Sequence, residues 1–208
     1  MKTPVRRRKE ARPTELSAAA LALFVEKGFS ATRLEDIAAR AGVSKGTIYL
    51  YFDGKEALFK AAVEAAMTPA IEAVEALAAD TEKSAAKLLR EFVFSWWRMV
   101  GSTDLGGLPK LLVAESNNFP EIARWFHDQM IRRAQGAMAR LIELGISRGE
   151  FRPMPPMVAA RIVFSPMFSF IVWRWAFGGF MTDLPEPEVF LGQAVDVLVN
   201  GFALREPA

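Results

Sequence analysis

Residues 36–52 read DIAARAGVSKGTIYLYF, a pattern that predicts two short helices joined by a tight turn at Gly42. The first helix carries apolar residues at helical spacing, and Thr32 with Glu35 gives the capping-box pattern that predicts its N-terminus. The second helix is expected over residues 44–52. Two helices with this spacing have the geometry of a helix-turn-helix.

The second of these helices has an apolar inner side and a polar outer side. Val43, Ile48 and Phe52 are spaced to pack against the preceding helices. Gly46 has no side chain where the helix would come nearest a phosphate or a base edge, and Lys55 opens the next helix, where the dipole favours phosphate. Hydroxyl groups and a lysine suit phosphate oxygens. The side chains expected to point outward are those of Ser44, Lys45, Thr47, Tyr49 and Tyr51.

The flanking segments are also helical in pattern. A first helix is expected to begin at Pro13 and to end at Gly28, with a basic arm over residues 1–12 ahead of it. A fourth helix opens at Lys55, and Pro69 marks a kink or an end in it.

The rest of the chain also shows helical periodicity, and no stretch alternates apolar and polar residues as a strand does. The predicted fold class is therefore all-α, with a head of residues 13–60 and a body of residues 61–208. The large helices expected in the body cover residues 83–100, 120–148, 156–178 and 187–204.

Composition narrows the class of protein. Among 208 residues 51% are hydrophobic, which is enough for a core, and the absence of cysteine excludes disulfides and thiolate metal sites. Residues 1–60 hold 12 Lys or Arg against 7 Asp or Glu, a net charge of +5, so the total of +2 leaves −3 for residues 61–208. A basic head on a mildly acidic body suggests a polyanionic partner for the head.

The expected location is the cytoplasm. No apolar segment follows the basic residues at the N-terminus, so no secretory signal is predicted. The longest uncharged aromatic run, residues 162–173, has 12 residues, whereas a bilayer span needs roughly 20. No membrane span is predicted.

The run from Asp36 to Phe52, followed by Lys55-Glu-Ala-Leu, closely resembles the DNA-binding segment of TetR/AcrR-type transcriptional repressors. The resemblance covers about residues 13–60, and beyond residue 60 only the architecture is similar. It implies that Lys55 contacts a phosphate of double-stranded operator DNA. At Leu50 some relatives place a larger base-contacting side chain, so contact with a thymine methyl and no contact both stay open. The other residues implied to contact the operator are Ser44, Lys45, Gly46, Thr47, Tyr49 and Tyr51.

The resemblance also implies a homodimer. Relatives pair their last two long helices into a four-helix bundle across a two-fold axis, and two recognition helices must lie about 34–36 Å apart to read a palindrome. The helix over residues 156–178 is apolar nearly all round, so it needs a partner subunit or a cavity on one side.

Aromatic and methionine side chains in the body suit a cavity for a small hydrophobic or aromatic effector. Binding of the effector would then shift the spacing of the two heads and release DNA. The candidate effector-binding residues, offered as a group because any one of them also suits a plain core position, are Phe92, Trp96, Met99, Leu112, Glu115, Phe126, His127, Met130, Phe164, Met167, Phe168 and Ile171.

Three other functions can be compared with a ligand-responsive repressor: an enzyme, a DNA-binding protein that senses no ligand, and an activator. Catalysis is not expected, because the chain has one histidine, no cysteine, no phosphate-binding glycine loop and no HExxH motif, and no cofactor or metal site is predicted. A DNA-binding protein of the same fold that senses no ligand would have a filled body. An activator would use the same head as a repressor, so the sequence leaves the direction of control open.

Overall fold

The computed structural model describes the backbone of residues 4–203 and the side chains of residues 12–203. Most of the described residues are helical, and they contain no strand beyond an isolated antiparallel bridge between Phe151 and Ala203. The predicted all-α class is confirmed. The helices of the described residues are α1 (Pro4–Lys27), α2 (Leu34–Arg40), α3 (Lys45–Tyr49), α4 (Lys55–Ala79), α5 (Ala85–Trp96), α6 (Gly107–Glu115), α7 (Pro120–Phe126), α8 (Arg132–Ser147), α9 (Pro156–Phe177) and α10 (Pro187–Phe202).

Three phenylalanine rings form the centre of the head. Phe24 of α1, Phe29 of the following loop and Phe59 of α4 lie with ring centroids 5.2–5.3 Å apart, and all three are buried. Ile48 of α3 joins the same buried cluster. Each such side chain contributes about 1.5–3 kcal/mol by burial, so Ile48 anchors α3 to the core, and Val43 and Phe52 pack beside it.

Helix α1 begins at Pro4, before the predicted start at Pro13. The helix continues through Pro13 although proline has no N–H for the i→i−4 bond. The prediction of an arm ahead of the helix is therefore wrong for the backbone of residues 4–12. Residues 1–3, and the side chains up to residue 11, lie outside the described residues.

The predicted capping box at Thr32 is also wrong. The hydroxyl of Thr32, which is fully buried, donates to the carbonyl oxygens of Gly28 at 2.7 Å and of Leu23 at 3.2 Å. Helix α2 begins after an extended Arg33 that makes no side-chain cap. Thr32 thus ties the loop to the end of α1 by bonding to backbone carbonyls there, partners that the local pattern does not reveal.

Helix α4 joins the head to the body. It runs from Lys55 to Ala79 and passes Pro69 without ending. Its first turns bury Leu58 and Phe59 in the cluster of the head, and Val74 lies in the second buried cluster, which α5, α8, α9 and α10 build in the body.

Two of the predicted long helices are interrupted. The expected helix over residues 83–100 is α5 followed by a π-helical turn, Trp97–Gly101, and the one over residues 120–148 is α7, a second π-helical turn, His127–Ile131, and α8. Helices α9 and α10 match their predictions to within two residues at each end. Helix α6 was not predicted, because glycine and proline at its start conceal the helical pattern.

By length and composition, α9 is the one helix of the described residues that could cross a membrane, although the sequence predicts no span. One third of its most apolar window is buried inside the protein. Core helices pass the same test, so this single helix is weak evidence for a span.

Candidate DNA-binding surface and effector cavity

Helix α3 presents its outer side to solvent. Tyr49 is 54% exposed and Leu50 is 78% exposed, whereas Ile48, directly before them, is fully buried. Ser44, Lys45 and Gly46 are exposed as well, and Thr47 and Tyr51 are half-buried. Seven of the eight residues expected to meet DNA lie in the stretch 44–51, which we call the α3 surface, although Tyr51 also packs against the buried cluster of the head.

Polar groups at the start of the α3 surface pair with one another. The hydroxyls of Ser44 and Thr47 lie 3.0 Å apart, and the ammonium of Lys45 lies 2.6 Å from a carboxylate oxygen of Glu35. That hydrogen bond raises the pKa of Lys45 and lowers the pKa of Glu35. Ion pairs between exposed side chains are weak in water, so a phosphate could replace Glu35 as the partner of Lys45.

Lys55 is the eighth residue, and the structure gives it another role. Its Nζ donates to the carbonyl oxygens of Phe29 at 2.9 Å, Thr32 at 3.1 Å and Ser30 at 3.3 Å. The ammonium also lies 4.5 Å from the centre of the Phe29 ring. Desolvation lowers its pKa, although Glu115 and Glu56 oppose that shift. An ammonium bound to three carbonyls is not available to a phosphate, so this geometry is at odds with the predicted contact.

Gly54 permits this placement of Lys55. Its φ of +142° lies in the region that L side chains rarely adopt. The residue precedes α4 as its N-cap without a side-chain cap. Glycine at this position therefore turns the chain so that the Lys55 side chain folds back over the loop after α1.

A second connection joins the head to the body through Glu115, the last residue of α6. Its carboxylate accepts from the backbone N–H of Ser30 at 2.9 Å and from the Ser30 hydroxyl at 2.8 Å. Partial burial raises the pKa of Glu115, but the bonds from Ser30 and Asn118 and the charge of Lys55 outweigh it, and the pKa is lowered overall. We call this pair the Glu115–Ser30 clasp.

Close packing at the other end of α6 holds the same two parts together. A Cβ on Gly107 would overlap the Val25 side chain of α1, and it would also press on the Trp175 ring of α9. Gly106 approaches Trp175 in the same way. Helix α6 is thus held between α1 and α9 with no room for side chains at its start.

The other side of α6 borders a cavity of about 530 Å³ in the body. This volume falls in the range of roughly 300–1,000 Å³ that is typical of small-molecule sites. Both π-helical turns border the cavity: Val100 belongs to one, and Met130 and Ile131 belong to the other. Such turns occur frequently at functional sites.

Eight of the twelve residues proposed as a group line this cavity: Trp96, Leu112, Phe126, Met130, Phe164, Met167, Phe168 and Ile171. The remaining four lie elsewhere. Phe92 is fully buried in the body cluster, and Met99 packs against the head cluster. Glu115 forms the clasp, and His127 is exposed with its ring nitrogen 3.0 Å from Asp128.

The sequence analysis missed part of the lining. Leu105, Leu108, Pro109, Val113 and Ser116 come from α6 and its ends, and Gln135, Arg161 and Ser165 come from α8 and α9. Leu112 and Glu115 are the residues of α6 that the predicted group contains, and the others were missed because, without a predicted helix here, the side facing the cavity could not be identified. The polar residues of the second group carry no aromatic or methionine signal. Among residues 12–203 no group of three His, Asp or Glu side chains is placed to hold a metal ion.

Family models match both parts of the chain. Residues 16–62 match the model described as bacterial regulatory proteins, tetR family. Residues 87–202, more than half of the chain, match the model described as AefR-like transcriptional repressor, C-terminal domain. The chain belongs to the TetR family. It is accordingly a helix-turn-helix, DNA-binding transcriptional regulator.

Curated relatives of this TetR-family chain are also transcriptional regulators by name. It is 28% identical over 151 residues to YfiR of Bacillus subtilis strain 168, an uncharacterised HTH-type transcriptional regulator, and the match covers 72% of each chain. Matches to further relatives cover about half of those proteins or less.

Solved structures share the fold of this TetR-family chain. The fatty acid degradation regulator FadR of Bacillus halodurans superposes with a TM-score of 0.78 over 97% of each chain, at 20% identity. FadR of Bacillus subtilis, solved in complex with stearoyl-CoA, gives a TM-score of 0.75 over 91% of this chain and 98% of that one, at 21% identity. At these identities the likeness shows the fold alone.

Proposed function

We propose that the protein is a cytoplasmic, homodimeric repressor that binds a palindromic operator through the α3 surface and leaves it when a small hydrophobic or aromatic effector fills the cavity. The observation that carries this proposal is the position of α6. One side of α6 lines the cavity, and its last residue forms the clasp with Ser30 of the head. An effector that moves α6 would therefore act on the head directly.

Operator contact is assigned to Ser44, Lys45, Gly46, Thr47, Tyr49, Leu50 and Tyr51. The exposed hydroxyl and ammonium groups at the start of α3 suit phosphates, and the exposed side of Leu50 suits a thymine methyl. Fluorescence anisotropy with DNA flanking the gene tests this assignment. Thr47→Ala should change the preference among operator sequences, whereas Lys87→Ala, on the exposed side of α5, should change nothing. If the wild-type protein binds all DNA sequences equally, operator recognition is refuted.

The dimer is assigned to α9 and α10. Large apolar side chains stand exposed on both helices, among them Ile162 at 46%, Trp173 at 48%, Val189 at 61% and Val197 at 71%. Several exposed apolar side chains on neighbouring helices typically mark an interface, and two copies of a helix pair can bury them across a two-fold axis. Analytical ultracentrifugation should give twice the mass of 23.1 kDa. Val197→Asp should shift the population toward the monomer, and a wild-type monomer would refute the assignment.

Release by an effector can be tested by filling the cavity. Leu112→Trp adds a large ring inside the cavity, and Lys87→Trp adds the same ring on the exposed side of α5 as a control. A panel of hydrophobic and aromatic compounds should weaken operator binding by the wild type and by the control but not by Leu112→Trp. If no compound changes the operator affinity of the wild type, induction by this class is refuted. The cavity itself argues against a regulator that senses nothing, because such a protein needs no empty space.

A further inference from the structure

The cavity has a single charge in its lining. Of the described residues around it, Arg161 of α9 is the only ionisable one, and the other polar side chains are those of Ser116, Gln135 and Ser165. Arg161 is exposed, so its guanidinium stands at the mouth of the cavity rather than inside it. The lining is therefore apolar with one cationic edge.

Arg161 also has no acidic partner among residues 12–203. Some other arginines of the body have such a partner, as Arg90 has Asp196 and Arg133 has Glu75, whereas Arg140 has none among these residues. At Arg161 only the backbone carbonyl is engaged, since it accepts from the Ser165 hydroxyl at 2.8 Å. A guanidinium presents five donors in a planar fork that suits a carboxylate or phosphate, and no residue that the structure describes engages this fork.

The positions of the lining residues along α9 indicate the length of the ligand. Arg161 is followed on the cavity side by Phe164, Phe168 and Ile171. At 1.5 Å per residue, the apolar wall extends about 10 Å from Arg161 to Phe168 and about 15 Å to Ile171. A volume of about 530 Å³ leaves room for a ligand of ordinary small-molecule size.

We propose that the effector is an amphiphilic anion. Its one carboxylate or phosphate pairs with Arg161 at the mouth, and its apolar chain or ring system lies along α9. This inference rests on the proposed role of the cavity as the effector site and adds the charge, the orientation and the size of the ligand. We expect a cationic amphiphile of the same size to bind more weakly, because no acidic side chain of the described residues lines the cavity.

Matched probes test the charge. Isothermal titration calorimetry at low salt, below the critical micelle concentrations, compares decanoate, decyl phosphate, decanol and decyltrimethylammonium on the full-length protein. Because Arg161 is exposed and partly screened by water, the anions should bind about three- to tenfold more tightly than decanol, and the cation more weakly. The preference should shrink in 0.5 M salt, where the Debye length falls to a few ångströms.

Variants of the arginine complete the experiment. Arg161→Gln should abolish the preference for anions while leaving the affinity for decanol within twofold, and Arg161→Lys should retain part of the preference. Arg140→Gln removes the same charge from an exposed site on α8 outside the cavity lining. It should change neither the preference for anions nor the affinity for decanol.

The outcomes separate the two proposals. If decanol and decanoate bind the wild type equally, or if Arg161→Gln keeps the preference, the anion assignment is overturned and the cavity remains an effector site. If none of the four probes binds, the amphiphile assignment falls too, and the compound panel on operator binding then decides separately whether the cavity serves as an effector site at all.

Discussion

Replacing Lys55 by Met removes the ammonium and keeps an unbranched apolar stem that can still pack on Phe29. Two of the three carbonyl acceptors, on Phe29 and Thr32, are partly buried, and the third, on Ser30, is exposed. A hydrogen bond to a charged group contributes about 1.5–3 kcal/mol. In the variant, water bonds to the exposed acceptor and recovers part of this contribution. We therefore expect the free energy of unfolding to fall by about 2–4 kcal/mol, a large share of the 5–15 kcal/mol typical of a domain.

Urea denaturation followed by circular dichroism, at one fixed protein concentration, measures this loss. With an m-value of about 3 kcal/mol/M, a loss of 3 kcal/mol moves the midpoint by about 1 M. Lys60→Met is the matched control, because it removes the same charge from the same helix at a half-buried residue with no hydrogen bond or ion pair among those described. Its midpoint should change by an amount equivalent to less than about 0.5 kcal/mol.

The salt dependence of DNA binding distinguishes this structural role from a phosphate contact. Each lost phosphate contact reduces the slope of log K against log salt by about 0.9, so a dimer that loses two would show a change of about 1.8. We expect Lys55→Met to keep the wild-type slope when binding is measured under conditions where the variant is folded. An unchanged urea midpoint together with a slope reduced by about 1.8 would refute our assignment of Lys55 to the head core.

Three further changes follow from the packing and charge around α6 and from the space beside Gly136 on α8. Gly107→Ala should lower the free energy of unfolding by about 1–3 kcal/mol in thermal or urea melts, because the new methyl overlaps Val25 and Trp175. Gly136→Ala should act in the opposite direction and stabilise by up to about 1 kcal/mol, since its Cβ meets only the far end of an arginine and alanine favours the interior of a helix; a destabilised Gly136→Ala would contradict the open space seen there. Glu115→Gln should cost about 1 kcal/mol at pH 7. Because the folded protein lowers the pKa of Glu115 below its ordinary 4.5, this contribution is complete above that ordinary pKa and disappears as the pH falls through the lowered one, so the stabilities of wild type and variant should converge in acid. A gap that persists unchanged at pH 3 would show that the carboxylate charge is not what holds the clasp.

The helix-turn-helix segment shows how much a local pattern can predict. Ile48 is buried and Val43 and Phe52 pack beside it, as their spacing predicts, so the exposure of the polar residues between them follows from helical periodicity. Helices α9 and α10 were predicted to within two residues because each has a proline in its first turn and a long apolar run behind it.

Local patterns failed wherever the partner of a group is distant in the sequence. The sequence predicts that the hydroxyl of Thr32 caps α2, but in the structure it donates to carbonyl oxygens at the end of α1 instead. The ammonium of Lys55 was expected to meet a phosphate, yet the loop after α1 brings three carbonyls to it. Neither choice can be read from spacing, since both depend on where another segment leaves unpaired backbone groups.

The sequence by itself determined the all-helical class, the exposed polar side of α3 and the apolar character of the body, because these depend on the periodicity and type of residues close in the chain. The tertiary structure alone decided which aromatic side chains border empty space and which fill the core. Phe92 and Phe164 have the same side chain and lie in edge-to-face contact, yet only Phe164 lines the cavity. The difference arises from how α5, α6, α8 and α9 pack against one another, and a cavity is the space that such packing leaves between segments far apart in the chain.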